Sequence, residues 1–583
     1  MIARDKRNFA WTIALVAVFF TAVAPTLSWS QFSGDSEDLV VQAVLEMRNR
    51  GPVWVPNLSG HPRIRKPPLT TWISAAAVSS KTMRELSSTT PAIREAAYRH
   101  LAWEVRWPAL VAACLMLLAI AWTADMIGGP AHVIPAVVIC GTSLLFLRYV
   151  RAATTDVYLA LWVSVANACF TAALFQKRRW IGCVGGGLAV GLAVMSKGPA
   201  VFVESVLPVF LFWCVGWHGR LAHAFVRKEH RRDAHATNSS SIHSQKSARG
   251  ALPIAVGIVL MLTVSLAWPI SVLIVMPGSW KTWLVDMLGK RTDRVSRDPW
   301  FAYWALLPNM IPWLPMFVAG FYIACQKLRR SKRIALALSL VVIPIIALSF
   351  LHDRKERYLL PMIGPAAILA AHAAVRLKRA HPLRQKAARV VWNIHWGLLS
   401  VLTIGLPLFG GIKLKRLDGG FWYSPTLAIM ALMAGVGIIA IGLFLQRKRR
   451  DGFILTGGAV MLLVNLLLLY GLTASPEGLS EMKPVADRIH ADFPAGTVIY
   501  YDPPPRVKPV TLDLDIYLDR IVPVTSDLPP SPVYGGVSAI IVLRKPDDPE
   551  PKFEGWKSHL DLVSRKHHWY VMVRDQKAID GIK

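Results

Sequence analysis

The sequence carries little charge for its length, and acidic residues are the scarcer kind. Asp, Glu, Lys and Arg make up 17% of the 583 residues, and 36 acidic residues stand against 66 basic ones. Soluble globular chains carry about a quarter of their residues as charged side chains, so this composition disfavours a soluble protein. The basic residues come as short clusters between apolar segments, which is typical of membrane-protein loops and not of a nucleic-acid-binding face. We therefore expect a membrane protein without a nucleic-acid partner.

Cysteine is also rare. The six cysteines all lie within or beside apolar segments, and none follows Cys325. They show no CxxC motif and no spacing typical of metal ligands. This distribution predicts small packing residues in helices and argues against a disulfide framework or a redox site.

Apolar runs dominate the chain from Ala10 to Tyr470, and most are roughly 18–25 residues long, enough to cross a bilayer as a helix. They predict a mostly α-helical, polytopic transmembrane bundle of about 13 spans. We interpret the first run as an uncleaved span, with a signal peptide cleaved after Ser30 as the alternative. The runs lie near residues 10–29, 108–126, 131–149, 156–175, 180–196, 199–217, 251–275, 303–324, 334–351, 357–375, 391–410, 424–445 and 453–473.

The positions of the basic clusters predict the orientation of these spans. With a cytoplasmic N-terminus, every dense basic cluster falls on the cytoplasmic side, as the positive-inside rule requires. The opposite, exoplasmic side then receives the long first loop, residues 30–107, and the tail, residues 476–583. The clusters are residues 177–179, 220–249, 327–333, 376–389 and 447–450.

The tail has the pattern of a separate soluble domain. We expect a transmembrane domain over residues 1–475 and a small exoplasmic α/β domain over residues 476–583. The tail sequence contains no nucleotide-binding loop, metal-ligand cluster or catalytic triad, so we expect it to guide access of an acceptor. The predicted strands are 496–501, 520–525, 537–543 and 569–573, and the predicted helices are 477–493, 511–520 and 553–565.

The first loop carries acidic residues and cations in an order that suits catalysis. Asp35 and Glu37 follow the first span, and Arg65 and Lys66 come about thirty residues later beside a Pro-Pro pair. A carboxylate can accept a proton while the cations bind a phosphate. The alternative is a solvated loop with ordinary surface charges.

Six motifs in chain order make the sequence recognisable. The chain resembles the aminoarabinose lipid A transferase and protein O-mannosyltransferase group, which belongs to the GT-C class of glycosyltransferases. The resemblance extends over about residues 1–375 and continues more loosely beyond them. The motifs are residues 35–72 with Lys66-Pro67-Pro68-Leu69, Arg106-Trp107-Pro108, Arg151-Ala152-Ala153-Thr154-Thr155-Asp156, Ser196-Lys197-Gly198-Pro199, Asp298-Pro299-Trp300 followed by Pro312-Trp313, and Lys355-Glu356-Arg357-Tyr358-Leu359-Leu360-Pro361.

The resemblance implies transfer of a sugar from a polyprenyl-phosphate donor to an acceptor, with inversion at the anomeric carbon. Asp35 or Glu37 would act as the base, and Asp156 would orient donor or acceptor. Cations fixed beside the leaving phosphate would stabilise the charge that grows on it in the transition state. The implied phosphate-binding residues are Lys66, Lys355, Tyr358, Arg65, Arg291 and Arg294.

Two positions depart from the family pattern. The first acidic motif is usually an adjacent Asp-Glu pair, whereas here Ser36 stands in the Asp position, with Asp35 before it and Glu37 after it. The residue before the Lys-Pro-Pro motif is often a Glu associated with a bound metal in the aminoarabinose enzymes, and here it is Arg65. The sequence therefore leaves open which carboxylate is the base and whether a divalent metal is a cofactor.

The resemblance places the protein in a bacterial inner membrane, with its active site and tail on the periplasmic side. The sugar is not determined by the sequence, and a lipid A phosphate, a protein hydroxyl and another envelope glycan remain as acceptors. A polyprenyl-linked sugar transporter or flippase is the first alternative, although transporters typically place ionisable residues near the midplane of the membrane. A membrane scaffold that presents the tail is the second, but it would not need the Lys-Pro-Pro and Asp156 motifs.

Overall fold

The structure is a computed structural model. It describes residues 2–28, 30–32, 35–50, 54–58, 60–215, 240–287, 299, 301–350, 354–378, 385–418, 433, 436–437, 440, 456–462, 482–493, 497–501, 512–518, 524–525, 537–544, 549–553, 555–563 and 568–574.

Most of the described residues are helical. The α-helices are α1 (Ile2–Val23), α2 (Asp35–Arg50), α3 (Leu69–Ala77), α4 (Ser80–Leu86), α5 (Pro91–Gly128), α6 (Val133–Gly141), α7 (Leu144–Tyr149), α8 (Thr155–Gln176), α9 (Ile181–Lys197, opening with a π-helical turn), α10 (Phe202–Val215, likewise), α11 (Ser240–Val275), α12 (Ser279–Met287), α13 (Leu306–Asn309), α14 (Leu314–Lys327), α15 (Lys332–Ser349), α16 (Leu360–Lys378), α17 (Gln385–Asp418), α18 (Met482–Asp492) and α19 (Leu512–Leu518). The strands are β1 (Asn57–Leu58), β2 (His61–Pro62), β3 (Thr497–Tyr501), β4 (Val524–Thr525), β5 (Val537–Arg544), β6 (Trp556–Val563) and β7 (His568–Arg574).

The chain divides into two compact units, and neither is one continuous stretch of sequence. Unit 1 comprises residues 1–27, 64–70 and 106–471, and holds the apolar helices. Unit 2 comprises residues 28–63, 71–105 and 472–583, so it combines most of the first loop with the tail. A domain boundary at residue 475 alone therefore stays a prediction.

Unit 1 is a polytopic helical bundle, as predicted. Within the described residues, six helices are long and apolar enough to cross a membrane, or seven if a bent pair counts as one span. That pair joins residues 302–309 to α14 at an angle of 115°. The predicted spans 424–445 and 453–473 lie largely outside the described residues. The six helices are Asn8–Ser28, Pro91–Gly128, Thr155–Gln176, Leu252–Val275, Lys332–Ser349 and Glu356–Lys378.

Small residues let the helices around α9 approach closely. A Cβ atom added to Gly187 in α9 would lie 2.1 Å from the carbonyl oxygen of Gly257 in α11. One added to Gly257 would lie 2.2 Å from the carbonyl oxygen of Cys183. Lipid provides no hydrophobic drive between helices, so this backbone-to-backbone packing is a main source of their association. On its other side, α9 packs against α8 through an apolar core that includes Val163 and Val190.

Unit 2 contains the predicted small α/β structure. Its five-stranded sheet has the order β4-β3-β5-β7-β6, in which β3 runs parallel to β4 and β5, and β7 runs antiparallel to β5 and β6. Strands β3, β5 and β7 confirm the predicted segments at nearly the same residues, and β4 covers the end of the predicted 520–525 strand. Helices α18 and α19 fall within the two predicted helical segments and pack against each other.

One predicted tail helix is wrong. Residues 553–565 were expected to be helical, but Trp556–Val563 forms strand β6 and pairs with β7. Exposure alternates along this segment, since Lys557, His559 and Asp561 are exposed while the residues between them are partly buried. That period of two suits a strand with one solvated face, and it outweighs the local helical pattern.

Candidate active site

Asp156 occupies the first turn of α8 and is almost completely buried. Thr154, in an extended conformation, precedes the helix as its N-cap, and Asp156 is 2% exposed. A carboxylate at this place is stabilised by the positive end of the helix dipole. Burial of an unpaired carboxylate would nevertheless be costly, so its partners decide whether it stays charged.

Lys197 is the first partner of Asp156, and the end of α9 places it there. Its Nζ atom donates a hydrogen bond to Asp156 Oδ1, and the two side chains are only 8% and 3% exposed. Helix α9 ends at Lys197 because Gly198 adopts a φ of 99°, a conformation that side chains disfavour. The Ser-Lys-Gly-Pro motif therefore acts as a turn that presents Lys197 to α8.

A second cation engages the other carboxylate oxygen. Arg357 belongs to the turn that leads into α16, and its Nε atom lies 3.6 Å from Asp156 Oδ2. The neighbouring Tyr358 completes the cluster, since Lys197 Nζ lies 4.1 Å from the centroid of its ring. Two cations, one carboxylate and an aromatic face thus meet in one cluster within unit 1, which we call the Asp156 cluster.

The turn that carries Arg357 and Tyr358 is itself fixed. Glu356 Oε2 accepts a hydrogen bond of 2.9 Å from Arg148 Nη1, and Glu356 Oε1 accepts another from Asn309 Nδ2. These bonds join the turn to α7 and α13, so two other segments of unit 1 set its position. Lys355, directly before this turn, is exposed.

The Lys-Pro-Pro segment also belongs to unit 1. Arg65 and Lys66 are both exposed, and the backbone beside them is held because Trp283 Nε1 donates a hydrogen bond of 2.8 Å to the carbonyl oxygen of Ile64. Trp283 packs against Trp268 with ring centroids 6.2 Å apart. The two cations thus sit on an anchored backbone with exposed heads. Arg291 and Arg294 lie outside the described residues.

The two candidate bases belong to unit 2. Asp35 is the first residue of α2, and Glu37, two residues later, is 7% exposed. Arg63 fixes this helix, because its Nη1 donates a hydrogen bond of 2.7 Å to the carbonyl oxygen of Leu39. Burial lowers the pKa of Arg63 to about 10, so the guanidinium remains charged at neutral pH.

The sequence did not single out two residues of this region. Arg357 is part of the Lys355–Pro361 motif but was not predicted to be a site residue, although it contacts Asp156 directly. Glu204, in the π-helical turn that opens α10, is 2% exposed and within electrostatic range of Lys197 and Asp156. An ionisable residue in an apolar run is the signal that marks Glu204. The pairings themselves could not be predicted, since they join distant parts of the chain.

The described residues do not fit a metal site like that of the aminoarabinose enzymes. Among them, no group of three or more His, Cys, Asp or Glu side chains is arranged to hold a metal ion. Arg65, a cation, stands at the position where the aminoarabinose enzymes often have a Glu carboxylate. The reaction proposed below therefore contains no metal-dependent step.

The sequence is similar to glycosyltransferases of two kinds. A profile of the dolichyl-phosphate-mannose-protein mannosyltransferase family matches residues 70–236. An undecaprenyl phosphate-alpha-4-amino-4-deoxy-L-arabinose arabinosyl transferase from Proteus mirabilis is 24% identical over 43% of this chain and 41% of its own length. The chain thus spans less than half of that relative. A transferase of the same description from Yersinia enterocolitica is 23% identical over 75% of this chain and 72% of its own length.

The fold has a solved counterpart. The crystal structure of ArnT from Cupriavidus metallidurans bound to undecaprenyl phosphate matches with a TM-score of 0.64, over 96% of this chain and 98% of that one, at 16% identity. The match thus extends over the bundle and the tail. These comparisons confirm the resemblance that the motifs predicted: the chain has the GT-C fold and is similar in sequence to the aminoarabinose transferase and protein O-mannosyltransferase group.

Proposed function

We propose that this protein is an integral membrane glycosyltransferase that moves a sugar from a polyprenyl-phosphate donor to a lipid, glycan or protein acceptor. The observation that carries the proposal is the Asp156 cluster, which holds two cations and an aromatic ring in place beside the exposed Lys355. A displacement that releases a phosphate needs fixed positive charge where negative charge grows. The relatives that are named as transferases of undecaprenyl-phosphate-linked sugar support the same donor class.

In this proposal, Asp156 positions cations and does not act as a base. Both of its oxygens are engaged, by Lys197 and by Arg357, so it holds the two cations at fixed places. Fixed charges need no reorganisation when the transition state forms, which makes them more effective than mobile ones. Arg357, Lys355 and the exposed Lys66 are the proposed contacts for the leaving phosphate, with Arg65 and Tyr358 beside them.

The proposed reaction is a single displacement at the anomeric carbon. The acceptor oxygen forms the new bond to that carbon, while the bond to the phosphate oxygen breaks and its electron pair leaves with the polyprenyl phosphate. The acceptor proton passes to a carboxylate, for which Asp35 and Glu37 are the candidates. One displacement inverts the configuration of the sugar.

We further propose that the reaction takes place on the periplasmic face of a bacterial inner membrane. The dense basic clusters fall on one side of the predicted spans, which the positive-inside rule assigns to the cytoplasm. The first loop, the Asp156 cluster and the tail then fall on the opposite side. Labelling of single cysteines introduced at exposed positions 61 and 355 with a membrane-impermeant reagent in intact cells tests this orientation. Labelling only after permeabilisation of the inner membrane would contradict it.

The test of the activity uses purified protein in lipid with a panel of polyprenyl-phosphate sugars. We expect one donor to yield free polyprenyl phosphate, and Lys66→Ala to slow this release. Because the cation Arg65 stands where the aminoarabinose enzymes often have a carboxylate, we expect a divalent-metal chelator to leave the rate unchanged. Release from no donor, in the presence of candidate acceptors, would contradict the proposed activity. Tight donor binding together with donor movement across the bilayer would instead indicate a flippase.

A further inference from the structure

One tyrosine of the tail holds the chain just before α2. The Phe32 backbone N–H donates a hydrogen bond of 3.0 Å to Tyr517 Oη, and the same hydroxyl donates one of 3.2 Å to the Phe32 carbonyl oxygen. Phe32 and Tyr517 are 1% and 2% exposed, so both bonds are buried. A single hydroxyl thus serves both backbone groups of a residue that is distant by 485 positions in sequence.

Tyr517 is itself held from its other side. The hydroxyl of Tyr98 donates to the carbonyl oxygens of Ile516 and Tyr517, at 3.1 and 2.7 Å. The rings of Tyr98 and Tyr517 lie 5.4 Å apart at an interplanar angle of 57°. Helix α19, which carries Tyr517, also packs against α2. The tyrosine therefore has a fixed position from which to hold Phe32.

The clamped residue is close in sequence to the candidate bases. Phe32 precedes Asp35, the first residue of α2, by three positions, and three residues of chain reach at most about 11 Å. Glu37 follows in the first turn of the same helix. Because α19 holds Phe32 through Tyr517 and also packs against α2, loss of the Tyr517 bonds would affect both Phe32 and α2.

We propose that Tyr517 is a positioning residue for the transfer reaction: through Phe32 it sets the place of the acidic segment 35–37. The inference rests on the proposed function, because it takes Asp35 or Glu37 as the group that accepts the proton. It gives the tail a part in the chemistry as well as in acceptor access. Removal of the hydroxyl would leave a buried N–H and a buried carbonyl of Phe32 without this partner, so the segment would move towards other partners.

The test compares two tyrosine variants of the full-length protein in lipid. Tyr517→Phe keeps the ring and loses the bonds to Phe32, whereas the matched control Tyr570→Phe loses a tail hydroxyl that bonds to His568 and keeps the Phe32 bonds. We expect Tyr517→Phe to lower kcat for transfer by about tenfold to a hundredfold, since an ångström of misplacement can have that effect, with donor KM unchanged. The pH profile of kcat should shift on its acid limb, because the surroundings of the base change. Tyr570→Phe should keep kcat and the profile near those of the wild type.

Hydrogen–deuterium exchange gives a readout that does not depend on activity. We expect faster exchange over residues 30–38 in Tyr517→Phe, beyond any change in global stability, and little change there in Tyr570→Phe. Unchanged kcat, pH profile and exchange in Tyr517→Phe would overturn the inference, as would losses in both variants that simply follow their unfolding temperatures. Wild-type protein that releases no polyprenyl phosphate would contradict the proposed function instead, and the exchange result would still decide whether Tyr517 positions this segment.

Discussion

Asp156 shows at the scale of one residue how a buried charge is tolerated and used. Its two oxygens meet Lys197 and Arg357, so neither cation nor carboxylate is buried alone. A buried pair contributes little net stability compared with apolar packing, but loss of one partner is costly because the other stays charged. The arrangement therefore favours an explanation by function over one by stability.

Replacement of one partner of the buried ion pair should therefore be costly. Asp156→Asn leaves Lys197 buried without a full counter-charge, so we expect the free energy of unfolding to fall by about 3–5 kcal/mol. The matched control is Arg148→Gln, which removes the more exposed ion pair with Glu356 and should cost about 1 kcal/mol or less. Denaturation of both variants in the same detergent measures the difference. Equal losses would show that the Asp156 cluster is not buried as described.

The sequence indicated Asp156 and Tyr358 as candidate site residues and contained Lys197 and Arg357 only within motifs, and it did not predict their contacts. Asp156 and Lys197 are 41 positions apart, and Arg357 lies much further along the chain. Spacing along one helix predicts neighbours only within a few residues, so a contact between three segments needs the fold. For the same reason, the sequence did not predict the hydrogen bonds between Tyr517 and Phe32. The roles of the predicted site residues remain proposals.

At the scale of elements, α9 is positioned by contacts on both faces. It packs against α8 through apolar side chains and against α11 through paired glycines. Its last residue is Lys197, so any tilt of α9 would move the cation away from Asp156. The helix is thus a support for the site as well as a membrane element.

The second prediction follows from this packing. Gly257→Ala would place a Cβ atom 2.2 Å from the Cys183 carbonyl oxygen, which forces α9 and α11 apart. We expect a loss of about 1–3 kcal/mol in unfolding free energy and a slower transfer reaction. The control is Gly397→Ala in α17, where an added Cβ meets nothing within 4 Å and should be neutral or slightly stabilising. A neutral Gly257→Ala variant would contradict the close approach.

Element prediction from sequence succeeded where one pattern dominated. Long apolar runs identified the described spans, and short continuous apolar runs identified strands β5 and β7. It failed at β6, whose mixed residues fit a helical period almost as well as a strand. There the pairing with β7 decides the conformation, and pairing is a tertiary effect that local propensity does not contain.

At the scale of the whole molecule, the tail and most of the first loop form one unit. Lys483 and Asp487 of α18 pair with Glu95 and Arg94 of α5, in addition to the Tyr517 contacts. The sequence suggested a tail that guides the acceptor and could be removed without loss of donor hydrolysis. The contacts within unit 2 lead to a different expectation.

Removal of the tail should therefore affect donor hydrolysis as well as transfer. A chain that ends near Ser475 lacks α19, so Phe32 loses its hydrogen bonds to Tyr517 and α2 loses a packing partner. We expect donor hydrolysis to fall together with transfer to an acceptor. Assays of both reactions on the truncated and full-length proteins test this. Intact hydrolysis with lost transfer would restrict the tail to acceptor access and would contradict the positioning role of Tyr517.

The rate of polyprenyl-phosphate release from the active donor in wild type, Asp156→Asn and Glu85→Gln tests the role of the Asp156 cluster most directly. We expect clear release by the wild type and a loss of about a hundredfold or more in Asp156→Asn, because two fixed cations lose their anchor. Glu85→Gln, which loses only an ion pair with Lys81 within α4, should release the product at a near-normal rate. Near-normal release in Asp156→Asn would contradict the proposed role of the Asp156 cluster. No release by the wild type from any donor would contradict the glycosyltransferase assignment itself.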